Sequence, residues 1–220
     1  MLIQQFQLGM VGQLPLRFNI APTQPIAAVR QLGPGEPRQL DALRWGLIPS
    51  WAKDPAIGNR MINARAETLA EKPAYRAAYR QRRCLVLADG FYEWQKTASG
   101  KQPYYIRLAD DRPFAFAGLW ERWQDKTLKD APVLESCTII TTDANQLVQP
   151  IHDRMPVILA PEDYEQWLDP SLDAAEQLAP LLRSYPAEKM TAYPVSSLVN
   201  RPTNDSPECI QPQQEQRSLF

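Results

Sequence analysis

Cys84-Leu-Val-Leu-Ala88 is a continuous apolar run of strand length, a pattern typical of a strand that is fully buried. Two aromatic-rich runs follow at 91–96 and 103–108. The linker Thr97-Ala-Ser-Gly-Lys101 between them indicates a hairpin. We therefore expect a buried strand followed by a hairpin in this region.

Further short strands are expected outside this region. The 21 prolines of the 220 residues divide the chain into short elements and leave little room for helix before residue 60. The pattern predicts an α+β fold, mostly β, with a mixed or antiparallel barrel-like sheet and a few flanking helices. It is expected to form one domain over residues 1–220, with a loose tail after about 212. The predicted strands are 42–48, 114–120, 137–142, 155–159 and 191–195, and the predicted helices are 73–83, 161–167 and 173–183.

The composition limits the classes of function. A formal net charge of -1 provides no global positive field, so any contact with DNA has to be local. One local basic run contains Arg76, Arg80, Arg82 and Arg83, and the alternative is a solvated helix face.

Three widely spaced cysteines form neither a disulfide framework nor a zinc pattern. The sequence lacks a signal-peptide pattern and a long apolar span. We expect a cytoplasmic protein, associated with the nucleoid when it acts on DNA, without membrane contact, metal or other cofactor.

A single histidine occurs, in Pro150-Ile-His-Asp-Arg-Met-Pro156. It is a candidate proton carrier because its ordinary pKa lies near neutral pH, and the alternative is a hydrogen-bonded structural residue. Two more segments combine polar with apolar residues, Ile62-Asn-Ala-Arg-Ala-Glu-Thr68 and Asp89-Gly-Phe-Tyr-Glu-Trp94.

Together with Phe18-Asn-Ile-Ala-Pro22 and Trp45-Gly-Leu-Ile-Pro-Ser-Trp51, these three segments resemble the SRAP (SOS response-associated peptidase) family over residues 17–212. Members of that family act on abasic sites in single-stranded DNA. The resemblance implies a compact, mostly β, barrel-like fold with one active cleft. It also implies single-stranded DNA with abasic sites as the partner, and we expect a monomer.

In the family, a cysteine directly after the initiator methionine becomes the N-terminal residue. Its amine attacks the abasic aldehyde and its thiol closes a thiazolidine ring, which crosslinks protein and DNA. The same cleft is credited with the self-cleavage that exposes the cysteine. Here position 2 is Leu2, and Leu2-Ile-Gln-Gln-Phe6 resembles the first helix that follows such a start. Either the true start lies upstream and encodes Met-Cys, or the nucleophile is lost; we favour the first, because the remaining site motifs suit a nucleophile.

The resemblance assigns catalytic roles to Asn63, Glu93 and His152. Asn63 is expected to hold the amine and the opened sugar, with a turn or cap as its alternative. Glu93 is expected to be the general acid/base, because a carboxyl against aromatic faces is desolvated; the alternative is an outward-facing strand residue. His152 is expected to exchange the proton of the sugar hydroxyl or the amine.

DNA-binding roles are expected for Trp51, Arg65, Thr141 and Arg154. The guanidinium groups of Arg65 and Arg154 fit phosphate oxygens, although either could form a structural ion pair. By resemblance to the base-stacking wedge of the family, Trp51, in a loop bounded by prolines, is expected to stack on a base. Thr141 could bond a phosphate or base edge, or be a plain strand-end residue.

Other functions remain open on the sequence. A free α-amine at Met1 could act as an abasic-site lyase through a Schiff base. A chain without its nucleophile could be a non-catalytic binder of damaged single-stranded DNA. A peptidase acting on other proteins through Cys84 and His152 is the least favoured hypothesis, because we expect Cys84 in the core.

Overall fold

The computed structural model describes residues 2–9, 14–173 and 175–213. In these ranges the chain forms short helices around two sheets. The helices are α1 (Leu2–Phe6), α2 (Arg76–Gln81), α3 (Tyr164–Leu168) and α4 (Ala175–Leu178). The strands are β1 (Pro25–Arg30), β2 (Gln39–Trp45), β3 (Asn63–Arg65), β4 (Arg83–Ala88), β5 (Phe91–Thr97), β6 (Gly100–Leu108), β7 (Phe114–Trp123), β8 (Leu134–Asp143), β9 (Arg154–Pro156), β10 (Ile158–Leu159) and β11 (Met190–Pro194).

The larger sheet closes on itself as a barrel. Its ring runs β1–β2–β8–β7–β4 and back to β1. The β2–β8 pairing is parallel and the other four are antiparallel, so the barrel is mixed. The long strand β8 also pairs with β3 in parallel and with β9 antiparallel, while β10 extends β7. The expected mostly β, barrel-like fold is confirmed.

The second sheet is antiparallel, in the order β11–β6–β5. The β5–β6 pairing runs from Phe91 opposite Ile106 to Thr97 opposite Gly100, which confirms the predicted hairpin. Phe91 packs edge-on against Phe116 of the barrel, with ring centroids 5.7 Å apart. This sheet therefore lies against the barrel wall, with β5 at one of its edges.

The core has two main parts. One lies within the barrel and under the second sheet, and it includes Cys84, Phe116 and Trp120. The other lies between the barrel and the helices, where Trp167 is fully buried. Burial of this much apolar surface is the main force that holds the helices on the barrel.

Two of the four arginines in the basic run point inward. Arg83 is buried and donates to the backbone carbonyls of Tyr79, Arg80, Trp167 and Asp169. Arg82 pairs with Glu121 at 2.8 Å. Neither a continuous basic patch nor a simple solvated face describes this run.

The predicted helix over 173–183 is wrong in its length. Its regular part is limited to α4, and a tight 3-10 turn follows at Ala179–Leu181. Pro180 lies in this turn, and proline lacks the N–H that a longer α-helix would need. The predicted strand 155–159 is divided into β9 and β10.

Most of the expected loose tail, residues 214–220, lies outside the described residues. Just before these residues, Pro212 forms an isolated β-bridge with Val195. The backbone N–H of Gln213 donates to the carbonyl oxygen of Pro194 at 2.8 Å. In the described part of the chain, no helix is long and apolar enough to cross a membrane.

Candidate active site

Glu93 lies in the middle of β5 and is half-buried, opposite Tyr104 on β6. Burial raises the pKa of its carboxyl above the ordinary value. His152 and the backbone N–H of Trp94 act in the opposite direction, and Asp153 adds to the rise. A carboxyl that keeps its proton at higher pH than usual suits a general acid. The partial burial also argues against the alternative of a fully solvent-facing residue.

His152 lies just before β9, with its side chain 44% exposed. The backbone N–H of Arg154 donates to Nδ1 at 3.0 Å, so in the neutral ring the proton belongs on Nε2. The carbonyl oxygen of Arg154 lies 3.2 Å from the same Nδ1, which would suit a protonated Nδ1. We favour the Nε2–H form because the shorter contact is donated by an amide that always carries its hydrogen.

Asp153 also contacts the ring, with Oδ1 3.2 Å from Nδ1 of His152. The two neighbouring side chains meet because the chain bends at Asp153 and is not extended there. The Asp153 side chain is 89% exposed, so the surrounding solvent weakens the attraction between its carboxylate and the ring.

Asn63 and Arg65 project from the same face of β3, and both are exposed. β3 pairs Asn63 with Ile139 and Arg65 with Thr141. Residues that pair directly in a sheet project on the same face. Asn63 and Arg65 therefore project on the side of the sheet that carries Ile139. Ile139 is buried in the core, whereas Asn63 and Arg65 are exposed. Within the described ranges, no side-chain hydrogen bond joins Asn63 to Glu93 or His152.

Thr141 lies between β3 and β9, opposite Arg65 on one side and Pro156 on the other. It is 8% exposed, so little of its hydroxyl is available to DNA. Its carbonyl oxygen accepts a hydrogen bond from Nη2 of Arg154 at 2.8 Å. The structure thus favours the structural alternative for Thr141, and its contact with DNA stays a prediction.

Arg154 forms the ion pairs that the sequence left open. Its two terminal nitrogens each lie 3.0 Å from a carboxylate oxygen of Glu67, and Nη1 lies 2.7 Å from Asp143. Burial alone would lower the pKa of Arg154, but the two carboxylates outweigh it and the pKa is raised. The guanidinium is engaged with acids, and its contact with phosphate stays a prediction.

Trp51 is 58% exposed, as expected for a residue that could stack on a base. It lines a groove of about 450 Å³ with Arg122, Lys126 and Val133. Trp123 fixes the loop by donating from Nε1 to the carbonyl of Ala52 at 2.7 Å. This groove lies beside the start of β8. His152 lies near the opposite end of β8, because Asp143 at that end pairs with Arg154, two residues after His152. The structure therefore places Trp51 apart from the Glu93–His152 cluster.

Cys84 is fully buried in β4, as expected. Burial raises the pKa of its thiol well above the ordinary value, which disfavours the nucleophilic thiolate. His152 is partly exposed on the surface, so the structure does not support a Cys84–His152 dyad.

Three functional candidates were missed from the sequence. Glu67 lies in the segment 62–68, but its position in the sequence does not reveal its pairing with Arg154. Asp143 ends β8 and completes that pairing. Gln95 donates its side-chain amide to the carbonyl of Pro150 at 3.0 Å. Among the described residues, no cluster of three His, Cys, Asp or Glu side chains could hold a metal ion.

The fold and these side chains define a barrel protein with a carboxyl and an imidazole close together, beside strands that carry arginines. The chain matches the family model of SOS response associated peptidase (SRAP) over residues 2–202. It is 47% identical to the abasic site processing protein YoqW of Bacillus subtilis (strain 168), over 96% of this chain and 93% of that protein. It is 38% identical to the abasic site processing protein HMCES of Xenopus tropicalis, over 79% of this chain and 57% of that protein. The chain belongs to the SRAP family.

Solved structures share the fold. A protein from Bacteroides thetaiotaomicron superposes with a TM-score of 0.78 at 33% identity, covering 87% of this chain and 82% of that one. A phage-related protein from Bordetella bronchiseptica gives a TM-score of 0.68 at 30% identity, covering 88% of each chain.

Proposed function

We propose that this chain processes abasic sites in single-stranded DNA by linking its N-terminal residue covalently to the opened sugar. The observation that carries the proposal is the half-buried carboxyl of Glu93, whose pKa is raised, close to His152. The names of relatives such as YoqW and HMCES support it.

The chemistry follows from these two groups. The opened abasic sugar presents an aldehyde, and an N-terminal amine adds to its carbon to give a carbinolamine. Glu93 donates a proton to the carbinolamine hydroxyl, which leaves as water while the C=N bond of an imine forms. His152 accepts the proton that the nitrogen loses. If the N-terminal residue is cysteine, its thiol then adds to the imine carbon, the thiol proton passes to nitrogen, and a thiazolidine ring closes.

The DNA strand is proposed to run across the exposed face of β3. There Arg65 can meet a phosphate, and Asn63 can hold the opened sugar. Trp51 would stack on a base farther along the strand, with Arg122 and Lys126 of the same groove beside the backbone. Arg154 and Thr141 contribute mainly by holding the cleft together.

Several finer features belong to the same proposal. The cleft removes the residue that precedes the N-terminal nucleophile, which is the peptidase activity in the family's name. The protein acts as a monomer in the cytoplasm. Met1 lies outside the described residues, so the lyase alternative through its α-amine rests on chemistry alone.

A denaturing gel tests the proposal. The 220-residue chain and a version extended to begin with Met-Cys are each mixed with abasic single-stranded DNA, with the same DNA after borohydride reduction of the aldehyde, and with intact DNA. We expect a heat-stable shifted band with the extended version and the aldehyde-bearing DNA alone. Strand scission by the 220-residue chain would favour the lyase. If neither version reacts with the aldehyde, the covalent proposal is wrong and simple DNA binding replaces it.

A further inference from the structure

Glu67 and Arg154 form a two-pronged ion pair between the turn that follows β3 and the start of β9. Oε1 and Oε2 of Glu67 each lie 3.0 Å from one terminal nitrogen of Arg154. Burial alone would raise the pKa of Glu67, but the hydrogen bonds and charge of Arg154 outweigh it, and the pKa is lowered. Glu67 is therefore charged at neutral pH and bonded to the arginine in a fixed geometry.

Arg154 passes this constraint to the imidazole. Its side chain is 19% exposed and is held on three sides, by Glu67, by Asp143 and by the carbonyl of Thr141. Its backbone N–H is the donor to Nδ1 of His152. The backbone of Arg154 pairs with Asp143 at the start of β9, and the held guanidinium adds to this constraint. The position of the Arg154 backbone N–H sets which ring nitrogen of His152 is free to exchange a proton.

The position of Glu67 links two parts of the candidate site. It lies in the 3-10 turn Ala66–Thr68 that directly follows β3, the strand of Asn63 and Arg65. Arg154 begins β9 on the other side of β8. The ion pair thus spans β8 and connects the strand that would meet DNA with the segment that would move the proton.

We infer that Glu67 is a positioning residue: through Arg154 it holds His152 with Nδ1 accepting and Nε2 free for proton exchange. This inference deepens the proposed function and rests on it for its link to catalysis. It differs from a simple stabilising role, because it predicts a change in the tautomer of His152, which a loss of stability alone would not produce. It also predicts an opposite effect on DNA binding, since Glu67 places a negative charge close to Arg65.

The single histidine makes a direct test possible, because each imidazole signal in a nitrogen-15 NMR spectrum belongs to His152. Spectra are recorded on the free 220-residue protein at a pH where the ring is neutral, for the wild type, Glu67→Ala and Glu67→Gln. The matched control is Glu135→Gln. Glu135 also pairs with arginines, Arg30 and Arg122, but lies eight residues from Asp143 along β8, about 26 Å away.

The wild type is expected to show the Nε2–H form, and Glu67→Ala a mixture of both tautomers. Glu67→Gln is expected to show a tautomer ratio between those of the wild type and Glu67→Ala. Glu135→Gln is expected to show the same ratio as the wild type. In the reacting version of the chain, Glu67→Ala should slow the covalent step about tenfold, because a proton donor or acceptor displaced by a fraction of an ångström loses efficiency. Its affinity for intact single-stranded DNA should be equal or higher.

An unchanged tautomer in Glu67→Ala would overturn the inference, as would a parallel loss of rate and DNA affinity. If the wild type forms no covalent product, the proposed function fails. The spectra of the free protein still decide whether Glu67 positions the ring.

Discussion

The side-chain amide of Gln95 donates to the carbonyl oxygen of Pro150 at 3.0 Å, and this bond joins the strand of Glu93 to the loop of His152. Gln95 is two residues from Glu93, and Pro150 is two residues from His152. The strand belongs to the second sheet, whereas the loop connects β8 and β9 of the larger sheet. The distance between the two proposed catalytic groups therefore depends on contacts between the sheets.

Replacing Gln95 by alanine should slow the covalent step about fivefold, because the two groups lose part of their alignment. The free energy of unfolding should change by no more than about 0.5 kcal/mol, since the bond is exposed to solvent. Gln102, its cross-strand partner, bonds instead to Val195 and is the matched control. Equal loss of rate in Gln102→Ala would show that general loosening of the hairpin is responsible.

Glu93→Gln should raise the stability of the protein at neutral pH. The folded-state pKa of Glu93 is raised above its ordinary value of 4.5, so the folded state is penalised when the carboxyl ionises. This penalty is absent below the unfolded pKa and is complete above the folded pKa. The gain from glutamine should therefore appear as pH rises through that window and vanish below it, as measured by denaturant unfolding at several pH values.

Glu135 provides a control of opposite sign. Hydrogen bonding by Arg30 lowers the pKa of Glu135, so its stabilising contribution is present above the unfolded pKa and is lost as pH falls through the folded pKa. Glu135→Gln should reduce stability at neutral pH and approach the wild type in acid. A Glu93→Gln protein that is less stable than the wild type at neutral pH would contradict the assigned burial of the carboxyl.

Trp51→Ala should weaken binding to intact single-stranded DNA by about 1–3 kcal/mol, the contribution of one stacked base. Stability should hardly change because the side chain is 58% exposed. Fluorescence anisotropy with a labelled oligonucleotide measures the affinity. Leu32→Ala removes another exposed apolar side chain, 46% exposed and outside the groove, and should bind normally. Unchanged affinity in Trp51→Ala would remove the groove from the DNA path.

Thr23→Gly should stabilise the protein by about 0.5–1 kcal/mol. Glycine removes the energy cost of a left-handed backbone at a residue with a Cβ, but loses more conformational entropy on folding. Thr23 has a φ of 76°, a region that β-branched residues avoid. It follows Pro22 in a turn closed by a hydrogen bond from the N–H of Gln24 to Ala21 at 3.2 Å. This arrangement favours glycine after the proline. Thermal unfolding tests the change; Thr23→Ala keeps a Cβ and should gain less, and a less stable glycine variant would contradict the turn geometry.

The sequence predicted the strands well where apolar runs are long. The run 84–88 and the hairpin at 91–108 are found almost as expected, because burial and turn chemistry act locally there. The closure of the barrel was harder to predict, since the β2–β8 and β3–β8 pairings join segments far apart in the chain.

The candidate site could be predicted only in part, because some of its contacts also join residues far apart in the chain. A lone histidine and a carboxyl among aromatic residues are visible as patterns, and the structure brings Glu93 and His152 together. The partners of Arg154 are not visible, because Glu67 and Asp143 precede it by 87 and 11 residues. Whether an arginine meets a phosphate or a carboxylate depends on the fold that surrounds it.

The rate of the covalent reaction in Glu93→Gln tests the central claim most directly. Single-turnover reactions with abasic single-stranded DNA are compared for the reactive version of the wild type, Glu93→Gln and Glu135→Gln, with affinity for intact DNA measured in parallel. We predict a rate about 100-fold lower in Glu93→Gln alone, with unchanged affinity, because the amide cannot donate the proton that releases water. An undiminished rate in Glu93→Gln, or an equal loss of rate and affinity, would contradict the role of Glu93 as the general acid of this site.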